Sequence, residues 1–312
     1  MKPFSVYQHL DGTPMTERDK TEVGSAFWNV GKWNNFIKPF LPNDGWELTL
    51  IDMGCNMGVF LNEAEKLGFD KIVGVDSNRD AIRKGVKWAE EHNKNYELRF
   101  QAMEDCIDDL PVADYTIFAN SHYYFKENDW LDHVAKLKEK TRLCIIVTDE
   151  KRPREGFASS DIGDIRKYFS DWEEVGFVDK IKAENDPRPR KLHSIMFKSG
   201  LKRVPLNTIK NGNDQQRGFL EQLDRGIDPT KTDYYRRLRD YRQRTGSNQQ
   251  TWTKEQLVDY MIERVNLYED VKKNGLKAPL YVRPRDDRIV DGNHRHNIEE
   301  HRGRRTGIIK ET

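Results

Sequence analysis

The stretch that most restricts how this chain can fold is LTLIDMGCNMGVFLNEAEKLGF, residues 48–69. An apolar run ends in Asp52, passes through Gly54 and Gly58, and enters a helix-like segment that Gly68 stops. Glycine accepts backbone angles closed to other residues, so this order predicts a strand, a sharp turn and a helix. The unit then recurs in looser form. KIVGVD is a second apolar strand ending in an acid, Asp76, and SNRDAIRKGVKWAEEHN is a helix capped by Ser77 or Asn78. YELRFQAM, ADYTIFAN and RLCIIVTDE read as further strands, with the helix WLDHVAKLKEK before the last of them. Such alternation predicts an α/β domain, a parallel sheet covered by helices on both faces. DIGDIRKYFSDW then reads as a helix. EEVGFVDKIKA and KLHSIMFKS read as two strands around the Pro-containing loop ENDPRPR, as expected at a sheet edge.

Upstream, SAFWNVGKWNNFIKPF sets Phe27, Val30, Trp33 or Asn34, and Ile37 on one helical face, which Pro39 limits. Downstream the pattern changes at residues 198–205. NGNDQQRGFLEQLDRG and DYYRRLRDYRQRTGSNQQ are polar and helix-like. TKEQLVDYMIERVNLYEDVKKNG is a longer helix, opened by a capping box of Thr253 and Gln256 and closed by Gly275. APLYVRP and RIVDG suggest two short strands, and NHRHNIEEHRG a loop entering a helix that Gly303 stops. The expected division is therefore a first domain over 1–200 and a smaller α+β domain over 201–312.

Charge separates the two parts. Residues 1–200 carry 29 basic and 35 acidic groups, and residues 201–312 carry 24 and 17. The basic excess points the second part toward phosphate, as nucleotide or nucleic acid; a solvated basic face is the alternative. Three scattered cysteines exclude a disulfide framework and a Cys-rich zinc site. No apolar run approaches a bilayer span and the start MKPFSVYQHL lacks a secretory pattern, so the expectation is a cytoplasmic protein with no membrane partner.

The turn carries the first chemistry. Asp52-x-Gly54-Cys55-Asn56-x-Gly58 lies where a strand meets a helix, and Asp76 ends the next strand. In an open α/β sheet both acids fall at the carboxyl ends of neighbouring strands, where ligands bind. The turn is not G-x-G-x-x-G, which argues against a dinucleotide. Together these residues resemble the class I S-adenosylmethionine-dependent methyltransferases, over residues 45–198. Their motif D/E-x-G-x-G-x-G is matched with Asn56 in place of the middle glycine. The resemblance implies a Rossmann-like sheet ending in a late antiparallel strand pair, and S-adenosyl-L-methionine as cofactor. It implies that Gly54, Cys55, Asn56 and Gly58 cradle the amino-acid part, that Asp52 anchors its amine, and that Asp76 holds the ribose. Met103 and Glu104 then stand at the adenine, and Asn120 beside the transferred methyl group.

The acceptor is less defined: a small molecule, a glycan or a nucleic acid. IFANSHYYF follows the fourth strand, where amino-methylating DNA enzymes carry N/D/S-P-P-Y/F/W; its lack of prolines favours an oxygen or phosphate acceptor. His122 is the candidate general base toward a hydroxyl, since an imidazole titrates near working pH; a neutral packed imidazole is the alternative. Arg152 and Arg154 are candidates to meet an anionic acceptor, a plain solvated loop being the equal alternative, and Trp28, Lys32 and Trp33 to close over the cofactor, aromatic residues at helical spacing being more often core.

NGLKAPLYVRPRDDRIVDGNHRHNIEEHRG, residues 274–303, resembles the ParB/sulfiredoxin-like superfamily. Gly275, Pro279-Leu280-Tyr281-Val282, Arg288-Ile289-Val290 and Asp291-Gly292-Asn293-His294-Arg295 match its pattern. The resemblance implies that Gly292, Asn293, His294 and Arg295 bind nucleotide phosphate, with ATP or CTP and Mg2+. The physics agrees: a tight Gly turn, a helix N-terminus and a guanidinium all suit an anion. Asp291 or Asp286 would serve a phosphotransferase as base or metal ligand. A module that only binds nucleotide or nucleic acid is the other reading, supported by the Tyr/Arg mixture of residues 233–246. A zinc site on His294, His296 and His301 is disfavoured, and no metal is assigned.

Overall fold

A five-residue strand, β1 (Thr49–Met53), forms the centre of the first unit and alternates as a pleat must. Leu50 joins one buried cluster and Ile51 and Met53 the cluster on the opposite face. Asp52 shares the side of Leu50. The structure, a computed structural model, describes residues 25–149, 155–181, 192–206, 215–244, 252–283, 288–291, 293–302 and 304–311. The chain divides into two compact units, Met1–Leu201 and Lys202–Thr312.

In the first unit β1 is flanked by β2 (Lys71–Asp76), β3 (Glu97–Phe100), β4 (Ala113–Ala119), β5 (Thr141–Thr148), β6 (Glu173–Ile181) and β7 (Leu192–Lys198). Their order is β3-β2-β1-β4-β5-β7-β6. β1 to β5 run parallel, and β7 is antiparallel to both β5 and β6. This is a mixed sheet of Rossmann-like type, with the expected late antiparallel pair in place. The helices are α1 (Ser25–Lys32), α2 (Val59–Lys66), α3 (Arg79–Glu91), α4 (Met103–Cys106), α5 (Glu127–Lys138) and α6 (Ile162–Tyr168). α1 continues into a π-turn, Trp33–Ile37, and Pro39 lies in the 3-10 turn that ends it. Trp33, Phe36 and Ile37 pack with Leu50, Val59 and Phe60 on one face of the sheet. Phe118, Phe125, Trp130, Phe169 and Phe197 fill the other. The third strand is shorter than its apolar run suggests: it stops at Phe100, and Met103 already belongs to α4.

The second unit has a four-stranded sheet, β8 (Lys202–Pro205), β9 (Leu280–Arg283), β10 (Arg288–Asp291) and β11 (Thr306–Glu311), in the order β10-β9-β11-β8. Its helices are α7 (Gln215–Asp224), α8 (Asp233–Arg244), α9 (Lys254–Asn274) and α10 (Asn293–His301). Two strands, β8 and β11, escape the periodicity. KRVP and TGIIKE are too short to show alternation, and they become strands by pairing with each other. The capping box of α9 forms: the Gln256 N–H donates to Thr253 Oγ1 at 3.2 Å, and the Thr253 N–H to Gln256 Oε1 at 2.8 Å. Thr253→Ala should therefore lower the stability of the second unit by about 1 kcal/mol. Faster hydrogen exchange in the first turn of α9 checks this; unchanged exchange there contradicts it.

Candidate functional site

The strand order reverses between β1 and β4, so the crevice at their carboxyl ends is the expected ligand position of an open α/β sheet. The turn that follows β1 holds three residues with positive φ: Gly54 at 85°, Asn56 at 52° and Gly58 at 93°. At Gly54 a second constraint acts. A Cβ there would lie 2.5 Å from the Cβ of Ser121, whose hydroxyl donates to the Met53 carbonyl. Glycine is thus needed for the turn and for the close approach of the β4 loop.

The amides of this turn are already bonded inside the protein. Gly54 and Cys55 N–H donate to the Val75 carbonyl at 2.8 and 3.1 Å, and Gly58 N–H to the Cys55 carbonyl at 2.9 Å. The Asn56 N–H donates to Asp76 Oδ2 at 2.8 Å. A phosphate cradle needs free amides, so these four positions do not supply one. Acceptors are what the crevice offers. Both carboxylate oxygens of Asp52, together with the side-chain oxygens of Asn56 and Asn120, are buried with no hydrogen-bond partner. Asn120 sits just past β4 with φ 60°, its own N–H bonded to the Val147 carbonyl at 2.9 Å. Buried acceptors without donors are costly, so the crevice suits a ligand rich in N–H and O–H groups.

Electrostatics sharpen this. Burial, and then the charge of Asp76, raise the Asp52 pKa to about 8, against a downward pull from Lys32. Lys32, at the end of α1, is itself buried. Alternation along β1 explains why Lys32 acts on Asp52, because Asp52 points to the face that α1 and α2 cover. Asp76 is also raised by burial, opposed by the Asn78 and Asn56 amides. Its second oxygen accepts the Asn78 N–H at 2.7 Å, which fixes both oxygens toward the turn. Met103 is buried, its sulfur 3.6 Å from a Cβ built on Gly54, whereas Glu104 is exposed. Cys55 is fully buried, and desolvation raises its thiol pKa well above the usual value, so it is not a nucleophile.

His122 begins a 3-10 turn, His122–Tyr124, and is wholly buried beside Tyr123 and Trp130. Burial pushes its pKa down to about 4, despite upward pulls from the Ser159 backbone and Asp149. Neither ring nitrogen makes a hydrogen bond of standard geometry. Titration near working pH, the property that suggested a base, is therefore removed by desolvation. Trp33 is a core residue stacked on Phe60 at 5.9 Å rather than a cover for the crevice. Arg152, Arg154 and the Trp28 side chain lie outside the described residues.

In the second unit, β10 ends at Asp291 and α10 begins at Asn293. Arg295 is half-buried in the first turn of that helix. Gly292, Asp286 and the side chains of Asp291, Asn293 and His294 lie outside the described residues. His296 faces the Leu206 carbonyl at 3.2 Å and His301 faces Asp224 at 2.7 Å, so these two rings do not converge. Among the described residues no helix is long and apolar enough to cross a membrane.

No protein-family model matches the chain, and no curated protein matches it. Solved structures do. A protein from Pyrococcus horikoshii OT3 aligns at 15% identity and a TM-score of 0.46, over 63% of this chain and 96% of its own. The bifunctional kinase-methyltransferase WbdD aligns at 22% identity and a TM-score of 0.44, over 67% of this chain and 46% of its own. Magnesium protoporphyrin IX methyltransferase from Synechocystis PCC 6803, with bound SAM, aligns at 15% identity and a TM-score of 0.40, over 55% and 77%. At this level of likeness, chemistry has to be argued from the residues of the crevice.

Proposed function

We propose that the first unit is a methyltransferase that uses S-adenosylmethionine and acts on an oxygen or phosphate acceptor. One observation carries the reading: both oxygens of Asp52 lie buried and unpartnered at the strand-order reversal. A buried carboxylate of this kind calls for a cationic donor, and the ammonium of the cofactor is one. Asp76 would accept the ribose hydroxyls with the lone pairs its two amide bonds leave free. Asn56 and Asn120 supply further acceptors, Gly54, Cys55 and Gly58 shape the turn, and Met103 packs at the adenine side with Glu104 beside it. The crevice has two acids and the buried Lys32. With both acids ionised, its net negative charge complements a molecule with two cationic groups and one carboxylate. Bound there, the cofactor supplies an electrophilic methyl group. The protein positions it and excludes water; neither task requires a base when the acceptor is phosphate. We assign His122 a neutral orienting role for the acceptor rather than proton removal.

For the second unit we propose a ParB/sulfiredoxin-like phosphate module. Its strand-to-helix turn, from Asp291 through Gly292, Asn293 and His294 to Arg295, would take ATP or CTP with Mg2+. Binding of a nucleic-acid acceptor through this unit is the competing use.

Isothermal titration tests the central reading. S-adenosylhomocysteine should bind and NAD should not; heat with NAD and none with S-adenosylhomocysteine overturns it. Labelled methyl donor, given with and without ATP or CTP to fractionated nucleic acid, glycan and small molecules, then identifies the acceptor.

A further inference from the structure

The second unit contains a cavity of about 310 Å³ lined by Thr230, Tyr235, Arg239, Lys254, Leu257 and Val258. It is remote in sequence from the turn at residues 291–295 and makes no use of it. Helical spacing explains its lining. Tyr235 and Arg239 are four apart on α8, and Lys254, Leu257 and Val258 follow i, i+3, i+4 on α9, so each helix turns one face inward. Leu257 and Tyr235 are buried and form the floor with half-buried Val258, while Arg239 and Lys254 are exposed at the rim. Thr230 is held by Asp228, to which its N–H donates at 2.8 Å and its hydroxyl at 2.6 Å.

None of the six lining residues is acidic. Asp228 is occupied by Thr230, and at the rim Asp240 Oδ1 accepts both Nε and an Nη of Arg239 at 3.3 and 3.2 Å. Such an exposed pair between chain neighbours is weak and yields readily to a better anion. The volume lies at the lower end of small-ligand sites, too small for a polymer and large enough for one ring system with its substituents. Two cations at the mouth select a doubly charged anion, and an aromatic-aliphatic floor selects a flat or apolar body.

We propose that this cavity binds a phosphate monoester carrying an aromatic body, a nucleoside monophosphate, either free or as the 5′ end of a strand. The proposal does not depend on the methyltransferase reading. Guanosine monophosphate is the probe, because an adenosine ligand would also report on the first unit. Titration calorimetry on the whole chain should show binding of this nucleotide. Guanosine and ribose 5-phosphate, each lacking half of the recognised chemistry, should bind at least about tenfold more weakly. The doubly substituted Arg239→Gln/Lys254→Gln chain should lose the nucleotide by about tenfold or more, with its melting temperature unchanged because both residues are exposed. Val258→Trp, which fills the floor, should lose it as well. Should that variant fail to fold, the surface pair alone decides. Displacement by a 5′-phosphorylated oligoribonucleotide, and not by its 5′-hydroxyl form, assigns the site to a strand end; absence of displacement assigns it to the free nucleotide. No heat with the nucleotide, or equal affinity in the wild type and the Arg239→Gln/Lys254→Gln chain, overturns the proposal.

Discussion

Asp52→Asn will strongly weaken binding of S-adenosylhomocysteine and, in the same chain, remove a pH dependence of stability. The two effects have one cause. Burial, and then Asp76, raise the folded-state pKa of Asp52 to about 8 from an ordinary value of 3.8. For an acid shifted upward, the folded state holds the proton more tightly than the unfolded chain. Its contribution therefore falls as pH rises between those two values, by up to about 1.4 kcal/mol per pH unit, and is constant above the upper one. A salt-bridged aspartate shows the opposite slope. Asparagine keeps the shape and cannot ionise, so the variant should lack this slope and be the more stable chain above about pH 8. The gain is reduced by the roughly 1–3 kcal/mol cost of an unpartnered buried amide. Urea unfolding of both chains across this range measures the difference; equal slopes refute the assignment. Ligand binding runs the other way. An ammonium needs the ionised carboxylate, so wild-type affinity should climb as pH approaches about 8, with proton release on binding. Deleting the buried charge should weaken binding by about 2–5 kcal/mol, or roughly 30-fold to several thousand-fold. The ligand 5′-methylthioadenosine has no ammonium and should bind both chains alike.

Much of the crevice can be read from residue order because it depends on local rules. Alternation in TLIDM places Asp52 on one face and Ile51 and Met53 on the other, as found. An acid at the end of β2 lands beside it because the strands pair in parallel, Met53 opposite Val75. The remaining features depend on contacts between distant segments. That Gly54 is required by Ser121 follows from the β4 loop crossing the turn, a relation no spacing encodes. That the turn amides are occupied follows from where the Val75 carbonyl lies. That this turn offers acceptors rather than free amides is thus a property of the folded chain. His122 shows a similar dependence: an imidazole in isolation titrates near neutrality, and the Phe125–Trp130 surroundings that desolvate it and favour the neutral alternative assemble only in the fold. In the second unit, β8 and β11 gain their strand character from mutual pairing rather than from local preference.

Lys32→Met should separate two halves of the proposed cofactor site that Asp52→Asn alone cannot. Lys32 is buried, and its charge pulls the Asp52 pKa downward. A buried ammonium is costly to keep, and its charge favours the ionised form of Asp52. When an ammonium ligand engages ionised Asp52, the Lys32 charge would attract the carboxylate of the same amino-acid group, so two opposite protein charges would meet two opposite ligand charges. Methionine preserves the length and apolar stem of lysine, which keeps the packing of α1 against the sheet. The variant should lose S-adenosylhomocysteine by about 10- to 100-fold, the range for one charge-assisted contact of 1.5–3 kcal/mol, while 5′-methylthioadenosine is unaffected. It should also move the pH at which binding develops upward, because the lysine charge that lowers the Asp52 pKa is gone. Combining it with Asp52→Asn gives a double-mutant cycle. If both residues grip the same amino-acid group, their effects fall short of additivity. Equal losses for both ligands would instead place Lys32 in general support of the fold, and full additivity would place it at a separate point of the crevice.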